Sequence, residues 1–363
     1  MVEAVARDKY HCPACGADAH WNPAKQALVC PYCGTISPAK LTSAGEIQEN
    51  DLVTALRNTP NHERGWKTER ISVKCQSCQA ISVLEPNRVG QQCEFCGSAQ
   101  LVPYEQIKPP ITPGSLLAFK LSEASVRDAI RQWYGTRWFA PTALKSRAAT
   151  DRVKGVYLPY WTFDAQAHSE WTAESGYHYY TTESYTDANG RTQTRQVQHT
   201  RWQPSAGEAD HFFDDELVAA SRGVDENLLR KIEPFPTKEL VPYDPGYLAG
   251  WIVEQYQVDL TTAAQKSNAQ MDSEMQSICA GQVPGDTYRN LNVNTQLSGE
   301  TFKHVLFPVW LLTFDYGSKS YQVIANGYTG NIAGKHPLSA IKIVLFVFAV
   351  IIAVLVLILM TQR

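Results

Sequence analysis

The apolar positions along this chain follow three patterns. At the far end, Ile343 to Met360 runs eighteen residues without a polar side chain. At ~1.5 Å rise per residue this run spans ~27 Å, close to the hydrocarbon thickness of a bilayer, and core helices seldom run so long without a polar position. The second pattern has helical period. Ser122 stands as an N-cap ahead of Val126, Ile130 and Trp133, and Gly135 closes the stretch. Asp259 caps a longer helix in which Leu260, Ala263, Ala264, Ser267, Met271, Met275 and Ile278 share one face, and Gly281 fits its C-terminal cap. Asp225–Ile232 reads as a short helix. Ser43 and Glu46 form a capping box before Ile47, Leu52, Ala55 and Leu56, and Pro60 stops the run, which predicts a helix over 44–58.

The third pattern is strand-like. Val156-Tyr-Leu-Pro-Tyr-Trp-Thr-Phe-Asp164 echoes Val305-Leu-Phe-Pro-Val-Trp-Leu-Leu-Thr-Phe-Asp315. Each is an apolar strand with Pro, then Trp two residues on, then Thr-Phe-Asp; the Pro marks an edge or a bulge. Two related β-units packed as one body are expected. Further strands are expected at Ser169–Glu174, Tyr177–Tyr185 and Arg191–Trp202, with a turn at 187–190. A turn at 316–319, the strand Ser320–Ala325 and a turn at Asn326-Gly327 follow the second copy.

Composition changes little of this. The chain has 363 residues, 44% hydrophobic and 19% charged. That excludes a disordered chain, a fibre and a polytopic membrane protein. A globally basic nucleic-acid binder is excluded too, because 33 Lys+Arg face 36 Asp+Glu and the net charge is −3. The most basic stretch is 120–154, interleaved with Trp133, Tyr134, Trp138 and Phe139. It either touches lipid headgroups or nucleic acid, or is a solvated face whose aromatics are core.

Cysteine usage is more telling. Eight of the nine Cys lie before residue 97: Cys12, Cys15, Cys30, Cys33, then Cys75, Cys78, Cys93 and Cys96. Each set reads C-x2-C, fourteen residues, C-x2-C. Two Cys spaced by two residues turn their sulfurs to one point, and a following Gly lets the backbone curl around them. Gly16, Gly34 and Gly97 supply that residue, whereas Cys78 is followed by Gln79. Two such knuckles make a closed four-thiolate zinc site, so two structural zinc ions are expected, one per set. Iron satisfies the same ligands; disulfides would need an oxidising compartment, and no signal peptide precedes the cysteines. The modules resemble rubredoxin-like zinc ribbons. Such small units have almost no apolar core, so the metal supplies their folding free energy. Both are nearly neutral. Trp21, Tyr32 and Phe95 either stack on bases or pack their own hairpins, and the neutral charge favours protein contact.

The expected architecture is therefore α+β in five parts. A zinc ribbon at 10–36 is followed by a linker at 37–70 holding the 44–58 helix, and a second ribbon at 71–104. A mixed, strand-rich α+β domain at 109–334 and a transmembrane helix at 343–360 complete it. Lys335, His336 and Lys342 before the span, against Arg363 after it, favour a cytoplasmic N-terminal part. Phosphate-loop, nucleophile-elbow, zincin and dinucleotide motifs are absent. The best polar cluster is His211-Phe-Phe-Asp214-Asp215-Glu216, but neighbours in an extended segment point opposite ways, and either Asp serves equally as a cap for a short run 216–220. His168, His178, His199 and His304 are expected to be structural, as is the lone Cys279. No catalytic activity and no small-molecule substrate are expected.

Several segments together support a resemblance. The paired C-x2-C sites and the stretch from Gly155 to Ala165 are two of them. Others are Thr200 to Gly207 leading to Phe213-Asp-Asp215, Phe302-Lys-His304, and Asn326 to Gly330 ahead of the span. With these the chain resembles a bacterial family of membrane-anchored double-zinc-ribbon proteins, often called zinc-ribbon or primosomal protein N′ (replication factor Y)-like. The helicase part of that label does not fit a chain without an ATPase motor. The apolar span, the neutral ribbons and the lack of catalytic motifs lead to the expectation of a tail-anchored adaptor in the bacterial inner (cytoplasmic) membrane, single-pass, recruiting a protein partner, and the resemblance suggests a stomatin/flotillin-type scaffold as one such partner. The alternative is a membrane-tethered nucleic-acid binder using the ribbons and the 120–154 stretch.

Overall fold

The computed structural model describes residues 10–37, 47–57, 71–84, 92–104, 111–142, 144, 153–186, 191–316 and 319–361. The 43–46 capping box, Pro60, the turn at 187–190, all of 145–152 and Arg363 lie outside the described residues.

Long strands dominate. The echoing segments open two of them, β8 (Lys154–Thr186) and β12 (Thr287–Tyr316), which pair antiparallel from Lys154–Leu311 to Gly176–Thr287. The expected strands at 169–174 and 177–185 are parts of β8 rather than separate elements. Likewise 191–202 continues through Pro204 as β9 (Thr192–Ala219), paired along β8, so 216–219 is strand and the expected short run 216–220 does not form a helix. Both prolines sit inside central strands. Pro159 falls where the second edge of β8 changes partner, from the parallel strand β11 (Ile252–Glu254) at Val156–Tyr157 to β9 from Tyr160. Pro308 falls where β12 passes from the parallel strand β7 (Ser115–Leu116) to the antiparallel β13 (Lys319–Asn326). A residue with no N–H fits a gap between two ladders.

The match between the two copies extends beyond the motif. In one unit β7 leads to helix α2 (Glu123–Gly135), capped by Ser122, and then to β8 and β9. In the other β11 leads to helix α4 (Leu260–Gln282), capped by Asp259, and then to β12 and β13. Each motif tryptophan donates its indole N–H to the loop between short strand and helix of the other unit: Trp161 to Val258 O at 2.8 Å, Trp310 to Leu121 O at 3.2 Å. The body is thus an internal duplication whose halves exchange their short strands across the β8–β12 ladder. Gly281 is inside α4, which runs to Gln282 and is capped at Val283.

Where the motifs pair, both faces of the sheet are covered, which explains unbroken apolar runs rather than alternation. One face carries Tyr157 and Trp310 against α2 and the first ribbon, and the other carries Leu158 and Phe307 against the second ribbon and helix α3 (Glu226–Ile232). Further out, α4 covers a single face, burying Met271, Met275 and Cys279 on Trp161, Phe163 and Trp171. The linker helix is shorter than expected. Asn50–Asp51, here β3, pairs with β12 and Asp51 caps helix α1 (Leu52–Arg57), accepting from Thr54 N at 2.6 Å. A ladder partner at Phe302 outcompetes the helical start at 47–51. Beyond the short strand β14 (Ile332–Gly334), which pairs with β13, helix α5 (Ala340–Thr361) includes the apolar run.

Candidate metal centres

The first ribbon is built on the hairpin β1 (His20–Asn22) and β2 (Ala27–Val29). The second uses β4 (Ile71–Cys75), β5 (Ile81–Leu84) and β6 (Leu101–Pro103). All four half-sites fold alike. The N–H of the first Cys donates to the carbonyl five residues on: Cys12 to Ala17, Cys30 to Thr35, Cys75 to Ala80 and Cys93 to Ser98, at 2.7–2.9 Å. The residue after the second Cys donates back to the first. That residue has left-handed backbone in every case, with φ of 74° at Gly16, 73° at Gly34, 75° at Gly97 and 66° at Gln79. Gln79 therefore performs the glycine's part, with its amide Nε2 donating to Gln76 O at 2.8 Å.

The sulfurs converge as the spacing predicts. Cys12 and Cys33 lie 3.4 Å apart, Cys15 and Cys30 3.5 Å, Cys75 and Cys96 3.6 Å, and Cys78 and Cys93 3.6 Å. A tetrahedral zinc with ~2.3 Å bonds has sulfur–sulfur edges of about 3.8 Å, so four soft donors at this separation fit the ion. Each cluster is consistent with one structural zinc and leaves no open coordination position. The two centres differ in shelter. Cys15 and Cys33 are exposed, while Cys78 and Cys96 are half-buried. Thr35 Oγ1, 3.2 Å from Cys33 Sγ, favours the thiolate and pulls that pKa down to about 6.

Both ribbons are plugged into the body by an aromatic residue. Trp21 is 6% exposed. Its N–H donates to Ala249 O at 3.1 Å, its indole to Phe119 O at 3.3 Å, and it receives the Trp251 indole on its own carbonyl at 3.2 Å. Phe95 is fully buried, and its carbonyl accepts from Thr313 Oγ1 at 2.6 Å. In addition β5 pairs with β11, which makes the second ribbon's sheet continuous with the body's. Trp21 and Phe95 are thus closed to base stacking; Tyr32, 83% exposed, is not.

The 211–216 segment does not converge on one site. Asp214 faces solvent and His211 packs edge-on to Phe213. Glu216 turns to Gln270 at 3.2 Å, in an open groove of about 650 Å³ that also holds Glu226, Arg230 and Lys266. Asp215 alone goes inward. A bulge at Phe163/Ala165 and a left-handed φ of 58° at Asp215 bring its carboxylate to Lys303 Nζ, 2.7 Å away. Glu49 at 3.1 Å and Asp164 at 3.7 Å complete the knot. Burial opposes the Lys303 charge, but the hydrogen bond and charge of Asp215 outweigh it and raise its pKa. Burial raises the Asp164 pKa against the Asp215 N–H, which donates to it at 2.6 Å. Sequence reasoning missed this knot, although Asp164, Asp215 and Lys303 all stand in the segments that carried the resemblance.

The histidines have ordinary structural partners. His168 meets Asp210 at 2.8 Å, His178 meets Thr200 at 3.0 Å and His199 meets Thr181 at 2.8 Å. His304 donates to Ile111 O at 2.8 Å, and burial holds its pKa down near 4.

Over 347 residues the chain is 25% identical to the uncharacterized protein YdjG of Bacillus subtilis (strain 168), an alignment covering 92% of this chain and 91% of that protein. No protein-family model matches the chain, and no solved structure matches it.

Proposed function

We propose that this protein is a membrane-anchored adaptor that holds a protein partner at the cytoplasmic face of a bacterial inner membrane. The observation that carries the reading is α5. Its segment Ala340–Met360 has 21 residues and a mean hydropathy of 3.6, and none of its apolar window is buried against the body. A helix of that length and composition, left unburied by the body, matches a bilayer core. Thiolate zinc ligands suit a reducing compartment, and Lys335 and Lys342 stand at the body side of the helix. Confinement to a surface raises the effective concentration of whatever the body binds.

Docked on opposite faces of one body, the ribbons are parts of a single rigid molecular surface rather than two independent fingers. A protein partner, with a stomatin/flotillin-type scaffold as the class to seek first, suits that surface better than nucleic acid. Two of the three aromatic side chains that could stack on bases are spent on anchoring the ribbons. Crosslinking in membranes followed by affinity capture of the full chain is expected to return a reproducible partner that a chain lacking its zinc ligands does not hold. Recovery of no such protein, together with nucleic-acid binding that weakens steeply with salt, refutes the adaptor reading.

A further inference from the structure

Beside α5 the body carries an aromatic loop with one ring turned in and one turned out. After α2 the chain runs Arg137-Trp-Phe-Ala-Pro141. Phe139 packs edge-on to Phe346, with ring centroids 5.4 Å apart. Its carbonyl accepts the Ser339 N–H at 2.8 Å, and Ala140 O accepts Lys342 Nζ at 2.7 Å. The start of α5 is therefore tied to the body by a ring contact and two hydrogen bonds. Trp138, in contrast, is 75% exposed, and Leu338 and Ile341 at the helix entry are 61% and 74% exposed.

The length of the helix decides where this loop lies. The 21 residues Ala340–Met360 measure ~31 Å, about the thickness of the hydrocarbon core and with no slack. If Phe346 stayed in water with Phe139, the fourteen residues after it would cover only ~21 Å. Phe346 therefore lies within the bilayer, and the loop that touches it reaches the bilayer boundary. Tryptophan favours that zone, where its ring is in an apolar layer and its N–H meets headgroups.

We propose that the 137–141 loop is a second membrane contact, with Trp138 inserted in the interfacial zone beside α5. The body would then have a fixed orientation on the bilayer instead of swinging on a tether. The Arg137 guanidinium, 4.7 Å from the centre of the Trp133 ring, would then lie at the level of lipid phosphates. The inference rests on α5 crossing the membrane, and its test separates the two claims.

The full chain is reconstituted in phosphatidylcholine–phosphatidylglycerol vesicles containing lipids brominated at shallow or deep acyl positions. The chain has nine tryptophans, so Trp138 is read as the difference between wild type and W138F, with W138Y as a second reference. Wild type is expected to lose extra emission on the order of one tryptophan in nine, more with shallow than with deep bromine, and acrylamide should not reach that share. Emission from Trp138 that acrylamide quenches and bromine does not overturns the proposal. So does emission that neither quencher reaches, as cover by a protein partner or a second copy would give. Flotation of the same vesicles separates the failures: a chain that does not float refutes the span, and one that floats with Trp138 in water refutes only the loop contact.

Discussion

Glu254 ends β11 at the seam between the body and the second ribbon, fully buried, directly opposite Ser82 of β5. Its Oε1 accepts from Gln257 Nε2 at 2.7 Å and from Gly223 N at 3.3 Å, and Oε2 has no hydrogen-bond partner. Burial raises its pKa from 4.5 to about 8, more than these donors lower it, so at neutral pH the folded protein holds a proton that the unfolded chain has released. Stability from this group is therefore greatest below pH 4.5 and falls as pH rises, levelling above pH 8. At ~1.4 kcal/mol per pH unit, the cost to the folded state grows by about 3 kcal/mol between about pH 5.5 and pH 8.5. Glu254→Gln keeps the shape and the acceptor oxygen and removes the titration. Wild type and variant, both zinc-loaded in detergent, are unfolded with denaturant across that range. Thiolate ligation also makes stability pH-dependent, but equally in both proteins, so it cancels in the difference. The variant is expected to gain on wild type by about 3 kcal/mol from the low to the high end. A difference that stays constant with pH would show that Glu254 is ionised in the fold and refute the reasoning.

Other perturbations follow from the same structure. Chelation should empty the first centre before the second, because Cys15 and Cys33 are exposed; zinc release followed with a colorimetric indicator should show two phases, and a single phase sinks the distinction. Trp21→Ala removes the plug of the first ribbon at a cost of about 3–5 kcal/mol, and hydrogen exchange should rise across residues 10–37 but not 71–104. Lys303→Met leaves Asp164, Asp215 and Glu49 facing one another without a cation, and denaturant unfolding should show a loss of about 3–5 kcal/mol.

The sequence alone determined the features that depend on local chemistry. Cysteine spacing sets the position of four sulfurs within two turns and a hairpin, so both metal centres were legible; that Gln79 takes the left-handed backbone of the missing glycine was not. An uninterrupted apolar run, the Ser122 and Asp259 caps and the short 225–232 pattern depend only on near neighbours, and their helices stand where the pattern put them. Tertiary structure decided what long-range pairing controls. Continuous strands of about thirty residues hid behind polar stretches because only one face of the outer sheet is covered, by an α4 that begins 74 residues after β8 ends. The prolines argued for an edge or a bulge, yet they lie in central strands, because a gap between two partner strands is visible only once both partners are placed. Trp21 and Phe95 gave no sign from spacing that they anchor ribbons to residues as distant as Phe119, Ala249 and Thr313. The Lys303 knot joins Glu49, Asp164 and Asp215 across some 250 residues. Each is an ordinary charged residue until the bulge at Asp164 and the left-handed turn at Asp215 aim it inward.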